Sequence, residues 1–500
     1  MAGVEAPLCG TFWEIVSMTA STTPFRPFRI AITQNADILV LSALAAALVP
    51  IALLLTAPVN VLALVAVPLL VLVVMLFVRY PRLWLYTGAV VNYFWISSGK
   101  GDVEITLTEY ALVAFYIGGL WIWFFAMVFI KKRRIVRNMG DRVLLAAIFG
   151  ASLNIILALV NDEASALTWL REYLLFFMML YYFPWREHFT ERRHIFTFFA
   201  LTAGVFIVIG ASNLWQYVKA ASNVLYAYQV WTSRKLLNTH IFLCATIFCT
   251  MATFYASTRK VRLRMLLLTA FYTLVVVVSF ARGFWISGII GIIATLWLFD
   301  KRKLALFIFY GAVGATIFIS AVQVIFPERA SLILKVIQAR LTSSAEGTKD
   351  LSVLARVYET QTVLNYIVNY TFGGAGMGTR FSVYDPLEHN FTRVVFIHNG
   401  YLFAWMKVGL PFFLAFYGVW VYMLRKAYTL ARQSTHKPLH RILASGAFGS
   451  LFALTLVNVT SAIPEGRDGF YCLSIIYAAI AFAESSSFSI QQTKAEAIEQ

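Results

Sequence analysis

Apolar runs of roughly 18 residues or more recur along this chain. Runs of that length are too long for ordinary core helices and long enough to cross the hydrocarbon of a bilayer. In 500 residues 60% are hydrophobic and only 13% charged, whereas soluble domains carry about 25% charged residues. The expected fold class is therefore an all-α integral membrane protein, and the pattern predicts about fourteen transmembrane helices, from 38–56 to 470–483.

The formal net charge of +17 does not point to nucleic acid, because no basic module separates from the apolar runs. The charges fall instead in short loops. Basic clusters at Arg79 and Arg82, Lys131 to Arg134 with Arg137, Arg186 with Arg192 and Arg193, Arg259 to Arg264, Lys301 to Lys303, and Arg425 with Lys426 occupy alternate connections. The positive-inside rule makes those connections cytoplasmic, and an even number of spans puts both termini on that side. The expectation is therefore a multi-pass membrane protein with both termini in the cytoplasm. No basic segment followed by a short apolar one precedes Asp37, so the first span itself is expected to direct insertion. Cys9, Cys244, Cys249 and Cys472 lack disulfide or metal-ligand spacing and read as packing residues.

One connection is far longer than the rest. Residues 327–397 join two spans, and the loop parity places them on the outer side. The organisation expected is a cytoplasmic segment 1–36, helices 1–11 over 37–326, the periplasmic loop 327–397, helices 12–14 over 398–484 and a cytoplasmic tail 485–500. Long loops are usually functional or disordered. Here Leu351, Leu354, Tyr358, Leu364 and Ile367 recur at helical spacing, which predicts an amphipathic helix able to lie on the membrane surface, and 331–341 has a similar pattern. A second outer loop is expected from Trp215 to Thr239.

Charges held at or below the outer interface are costly and hence candidates for function. Arg282 lies in Ser279-Phe280-Ala281-Arg282-Gly283-Phe284, a turn between two spans, and reads either as an interfacial anchor or as an anion-binding group. Arg171, followed by Glu172, sits about two turns inside its span, where the alternative is an internal ion pair that fixes helix packing. His398-Asn399 stands where the long loop re-enters the membrane, ahead of Lys407 and Gly409-Leu410-Pro411, and there the alternative is a helix cap. The string Gly374-Ala375-Gly376-Met377-Gly378 lacks the strand-turn-helix context of a dinucleotide site, which leaves a simple turn or a turn bringing backbone close to a phosphate or sugar.

Taken in order, these elements resemble the O-antigen ligase and O-antigen polymerase family. His398-Asn399 with Gly409 is similar to the signature closing that family's periplasmic loop. Ser279 to Gly283 is similar to its serine-to-arginine-glycine element, and Arg356-Val357-Tyr358-Glu359 followed by the glycine string to its loop helix and turn. The detailed resemblance covers roughly 260–425. Phe412 departs from the glycine, threonine or tyrosine such ligases carry, which tips the reading slightly towards a polymerase. The resemblance implies a helical, GT-C-like glycosyltransferase fold and direct, inverting transfer with no cofactor and no metal. Its implied partners are membrane lipid, an undecaprenyl-pyrophosphate-linked oligosaccharide as donor, and a glycan or lipid A core sugar as acceptor.

That chemistry suits the residues. Pyrophosphate is a good leaving group whose growing charge an arginine fork can stabilise, so Arg282 and Arg356 are the expected catalytic cations and Arg171 a weaker third. His398 is the expected base towards the acceptor hydroxyl. Asn399, Gly376 and Gly378 are expected to contact substrate. The alternative function is a lipid-linked oligosaccharide flippase or other multi-span transporter, which would show short loops on both sides and charges through the midplane.

Overall fold

The computed structural model describes residues 79–94, 112, 114–160, 166–221, 239–325, 327, 330–342, 351–386, 389–395, 397–433, 437–463 and 467–499. The spans expected at 38–56 and 59–78 lie outside the described residues. The chain divides into two compact units, Met1–Ala89 with Ala111–Ile135, and Val90–Tyr110 with Val136–Gln500. In the first, the Tyr116 hydroxyl donates to the Gly88 carbonyl at 2.7 Å, and Gly119 has no side chain because the Trp84 indole occupies its place.

The helices are α1 (Pro81–Phe94), α2 (Ala114–Ile130), α3 (Met139–Leu153), α4 (Ile155–Val160), α5 (Ala166–Phe177), α6 (Tyr182–His188), α7 (Arg192–Ala221), α8 (Thr239–Tyr255), α9 (Arg259–Val278), α10 (Arg282–Phe299), α11 (Lys301–Ile325), α12 (Ala330–Thr342), α13 (Leu351–Asn369), α14 (Gly400–Val408), α15 (Leu410–Gln433), α16 (Pro438–Thr460) and α17 (Arg467–Glu499). Among the described residues six are long and apolar enough to cross a membrane: Met139–Leu157, Arg192–Ala220, Arg259–Val278, Arg282–Phe299, Lys301–Ile325 and Pro438–Thr460. The protein is thus a predominantly α-helical, multi-span membrane protein.

Within the second unit α16 is the central element, packed by α8, α10, α14, α15 and α17. Lipid tails are as apolar as leucine, so close van der Waals packing rather than hydrophobic burial holds such helices together, and small residues permit it. A methyl group at Gly446 would strike the Phe248 ring, one at Gly449 would meet Thr295 and Ile247, and one at Gly291 would come within 2.9 Å of the Gly449 carbonyl. At one end of the bundle, basic residues are tied to aromatic and acidic ones. Arg186 donates to Asp141 at 2.7 Å, Lys303 lies 3.8 Å over the Tyr255 ring, and Arg441 donates to the Phe299 carbonyl at 3.2 Å.

Three features depart from the apolar pattern. Helix α7 continues to Ala221, so the outer connection expected from Trp215 begins later, and 222–238 lie outside the described residues. The apolar run over 400–424 is broken into α14 and α15 at Gly409, whose φ of +81° is open to glycine and strained for other residues. The long connection holds α12 and α13 as expected, together with a small antiparallel hairpin of β1 (Phe381–Asp385) and β2 (Asn390–Val394), with Phe381 opposite Val394 and Asp385 opposite Asn390. Phe381 and Val383 face inwards onto Val363 and Ile367 of α13 and Phe403 and Met406 of α14, which gives the connection its own apolar core.

Candidate active site

Helix α13 carries its apolar face into that core and presents Glu359 to the start of α14. His398 lies just ahead of α14, with its backbone N–H donating to Glu359 Oε2 at 3.2 Å and its Nδ1 at 3.0 Å from both carboxylate oxygens. A carboxylate only accepts, so the imidazole donates through Nδ1–H, and in the neutral tautomer that fits this contact the lone pair is on Nε2. The imidazole is 43% exposed while the carboxylate is only 16% exposed, so the histidine reaches outwards from a covered partner. Asn399 is the N-cap of α14: its Oδ1 accepts the N–H groups of Tyr401 and Leu402, both at 3.1 Å.

Arg356 stands three residues before Glu359 on α13, on the same helix face, and is half-buried. Arg282 is the first residue of α10 and also half-buried. The turn before it is tightly built. Phe280 adopts a left-handed φ of +53°, rare for a bulky side chain, and is held there by burial against Tyr217, Trp285 and Val336. Ser279 Oγ donates to the Val276 carbonyl at 2.6 Å and accepts from the Ala281 N–H at 3.3 Å.

The start of α10 and the start of α14 meet the same end of α16. A methyl group at Gly283 would lie 2.5 Å from Thr460 Oγ1, and one at Gly400 would overlap the Asn458 carboxamide and approach Ala462 to 3.0 Å. Asn458 is fixed in turn, its Nδ2 donating to the Tyr417 hydroxyl at 2.7 Å and its Oδ1 accepting from the Ile463 N–H at 3.1 Å. Two helix N-termini therefore lie at one level of the bundle, and their positive dipole ends favour an anion.

Gly376 and Gly378 lie deeper. Gly374, Gly376 and Gly378 have φ values of +73°, +99° and +80°, and the turn they form is locked from three sides. The Met377 N–H donates to Asn154 Oδ1 at 2.7 Å, the Gly378 N–H donates to Glu172 Oε2 at 2.8 Å, and the Ala375 N–H donates to the Met406 carbonyl at 2.6 Å. The glycines give the close backbone approach that the sequence suggests, and what approaches is protein: a methyl group at Gly378 would lie 2.6 Å from the Trp169 nitrogen. Beside the turn, fully buried Lys407 donates to Glu172 Oε1 at 3.0 Å and to the Thr379 carbonyl at 2.7 Å. Arg171 is half-buried on α5, within Coulombic range of Glu172. Phe412 packs its ring on Gly150 of α3, so the departure from the ligase pattern serves a helix contact.

The structure thus joins His398 directly to Glu359, sets Arg356 one turn along the same helix, and brings Arg282 to the same end of α16. Arg171 belongs with the Glu172–Lys407 pair. Glu359 and Lys407 carry the contacts that sequence reasoning did not assign. Both residues were in view, but their partners are 39 and 235 positions away. Among the described residues no group of three or more His, Cys, Asp and Glu side chains is placed to hold a metal ion.

Residues 265–417 match the family model described as O-Antigen ligase. The matched stretch contains Arg282, Arg356, Glu359, the glycine turn, His398, Asn399 and Lys407, and leaves out α5 and α7. It covers under a third of the chain, which therefore carries an O-antigen ligase domain within a multi-pass helical membrane protein. No curated protein matches the chain.

Proposed function

We propose that the protein transfers a glycan from a polyprenyl pyrophosphate to a hydroxyl of an acceptor glycan at the periplasmic face of the inner membrane, as a polymerase or ligase of lipid-linked chains. The observation that carries this reading is the Glu359–His398 contact with Arg356 on the same helix, inside the stretch that matches the O-antigen ligase model. His398 Nε2 takes the proton from the acceptor hydroxyl as its oxygen attacks the anomeric carbon. The bond from that carbon to the pyrophosphate oxygen breaks with inversion, and the electron pair leaves on the pyrophosphate. Glu359 orients the imidazole and stabilises the imidazolium that forms. Arg282 and Arg356 offset the charge growing on the leaving group, aided by the N-terminal ends of α10 and α14. Arg171, Asn399, Gly376 and Gly378 remain in this reading as groups near substrate. About fourteen spans, a GT-C-like fold and cytoplasmic termini complete it.

The test is the surface glycan of a deletion strain. Long chains should vanish. A single repeat unit left on the acceptor identifies a polymerase, and an acceptor bare of glycan, with lipid-linked chains accumulating, identifies a ligase. Unchanged surface glycan would remove both.

A further inference from the structure

Apart from the groups above, the bundle holds a narrow cleft where the C-terminal turns of α7 and α9 meet the N-terminal turn of α8. Phe242 and Val276 form its apolar side, and Asn213, Tyr217, Thr239 and Ser279 its polar side. Tyr217 is only 7% exposed, yet its phenolic oxygen has no hydrogen-bond partner among the described residues. A buried hydroxyl left unsatisfied costs stability, and native structures keep few of them, so each calls for an explanation. The Tyr217 ring lies 5.6 Å from that of Phe280, the strained residue two positions before Arg282. The cleft thus adjoins the turn that holds the arginine.

Three properties narrow what enters. The space suits about one water-sized group, a hydroxyl or hydroxymethyl arm rather than a ring. A polyprenyl tail has no polar atom to offer the phenol. The wall bearing Asn213, Tyr217 and Thr239 also lies outside the matched residues 265–417, whereas Arg282 lies within them. We propose that this cleft is a sugar-recognition subsite, in which the Tyr217 hydroxyl bonds a hydroxyl of the donor sugar next to the pyrophosphate held at Arg282. The proposal rests on the transferase reading. It assigns discrimination between donor sugars to α7 and α8 and the grip on pyrophosphate to α10 and α13, because a site built to bond a sugar hydroxyl rejects a sugar lacking it.

The test uses full-length protein in lipid vesicles, with two probes: lipid-linked oligosaccharide extracted from the producing cell, and sugar-free undecaprenyl pyrophosphate. Tyr217→Phe should melt no lower than the wild type, because it removes an unsatisfied hydroxyl. It should bind the sugar-free lipid normally and raise KM for the lipid-linked oligosaccharide about 2- to 10-fold, the worth of one hydrogen bond. Thr239→Val, on the same polar wall, should show the same separation and serves if Tyr217→Phe folds poorly. An unchanged KM would mean that the cleft holds only water, and equal weakening towards both probes would mean that it senses lipid rather than sugar; either overturns the proposal. A wild type that binds both probes and transfers nothing would overturn the transferase reading and this proposal with it.

Discussion

His398 sits with its Nδ1 at 3.0 Å from both oxygens of a covered carboxylate and with its ring partly in the open. That is how a base is oriented, and it separates two residue-level outcomes. His398→Ala should lower transfer by about 10²- to 10⁴-fold. Glu359→Gln keeps the size and the hydrogen bonding of the side chain but not its charge, so it should also lose activity, by up to about 10⁴-fold, the cost of neutralising the acid of a comparable triad, without loss of folded protein. Transfer rates of the purified variants decide both, and a Glu359→Gln variant with wild-type rates would reduce the contact to a loop anchor. The sequence shows the histidine, the arginines and even Glu359 within Arg356-Val357-Tyr358-Glu359. It cannot show that Glu359 turns towards His398, because that pairing depends on how α13 folds back over α14. Asn399 illustrates the reverse: its side-chain oxygen serves both capped N–H groups of α14, the ordinary task of asparagine at a helix start.

At the scale of elements, the Glu172–Lys407 pair ties α5, α14 and the glycine turn into one block. Removing one partner of a buried ion pair costs about 3–5 kcal/mol, chiefly because the other charge is stranded. Lys407→Met should therefore sharply lower melting temperature and yield in detergent, and Lys407→Met with Glu172→Gln should recover much of the loss; a double variant no better than the single would show that the pair is not the source. The apolar runs made the long helices legible, and helical spacing made α13 legible. The break at Gly409 was hidden because α14 and α15 are apolar on both sides of it, even with Gly409-Leu410-Pro411 in plain view. The hairpin had a signal, the alternation of Phe381 and Val383 with polar neighbours, but it lay in a loop read for helices. The extension of α7 was masked by the polar residues Ser212, Asn213 and Gln216, which mark a loop by composition and here continue a helix.

For the whole molecule, the alternation of basic clusters predicts the sidedness. A reporter active only in the cytoplasm should be active when fused after Lys303 and silent near Lys349, and activity near Lys349 would place the Glu359–His398 pair on the wrong side for a lipid-linked donor delivered outside. The multi-span helical class follows from length and apolarity alone, whereas the sharing of one end of α16 by α10 and α14 depends on Gly283 and Gly400, whose meaning appears only once Thr460 and Asn458 are beside them. The break at Gly409 carries one consequence of a different kind. Backbone groups facing hydrocarbon must find partners within the protein, and here the loop supplies them: the Met406 carbonyl accepts the Ala375 N–H at 2.6 Å, and the Leu410 N–H donates to the Thr371 carbonyl at 2.9 Å. Lifting this part of the loop would leave both groups without these partners, so it behaves as masonry rather than as a door. On the proposed reading, a long polymer would then meet a standing gateway there, and its traffic would be set by how chains drift and thread in the plane of the membrane, not by the swing of a gate.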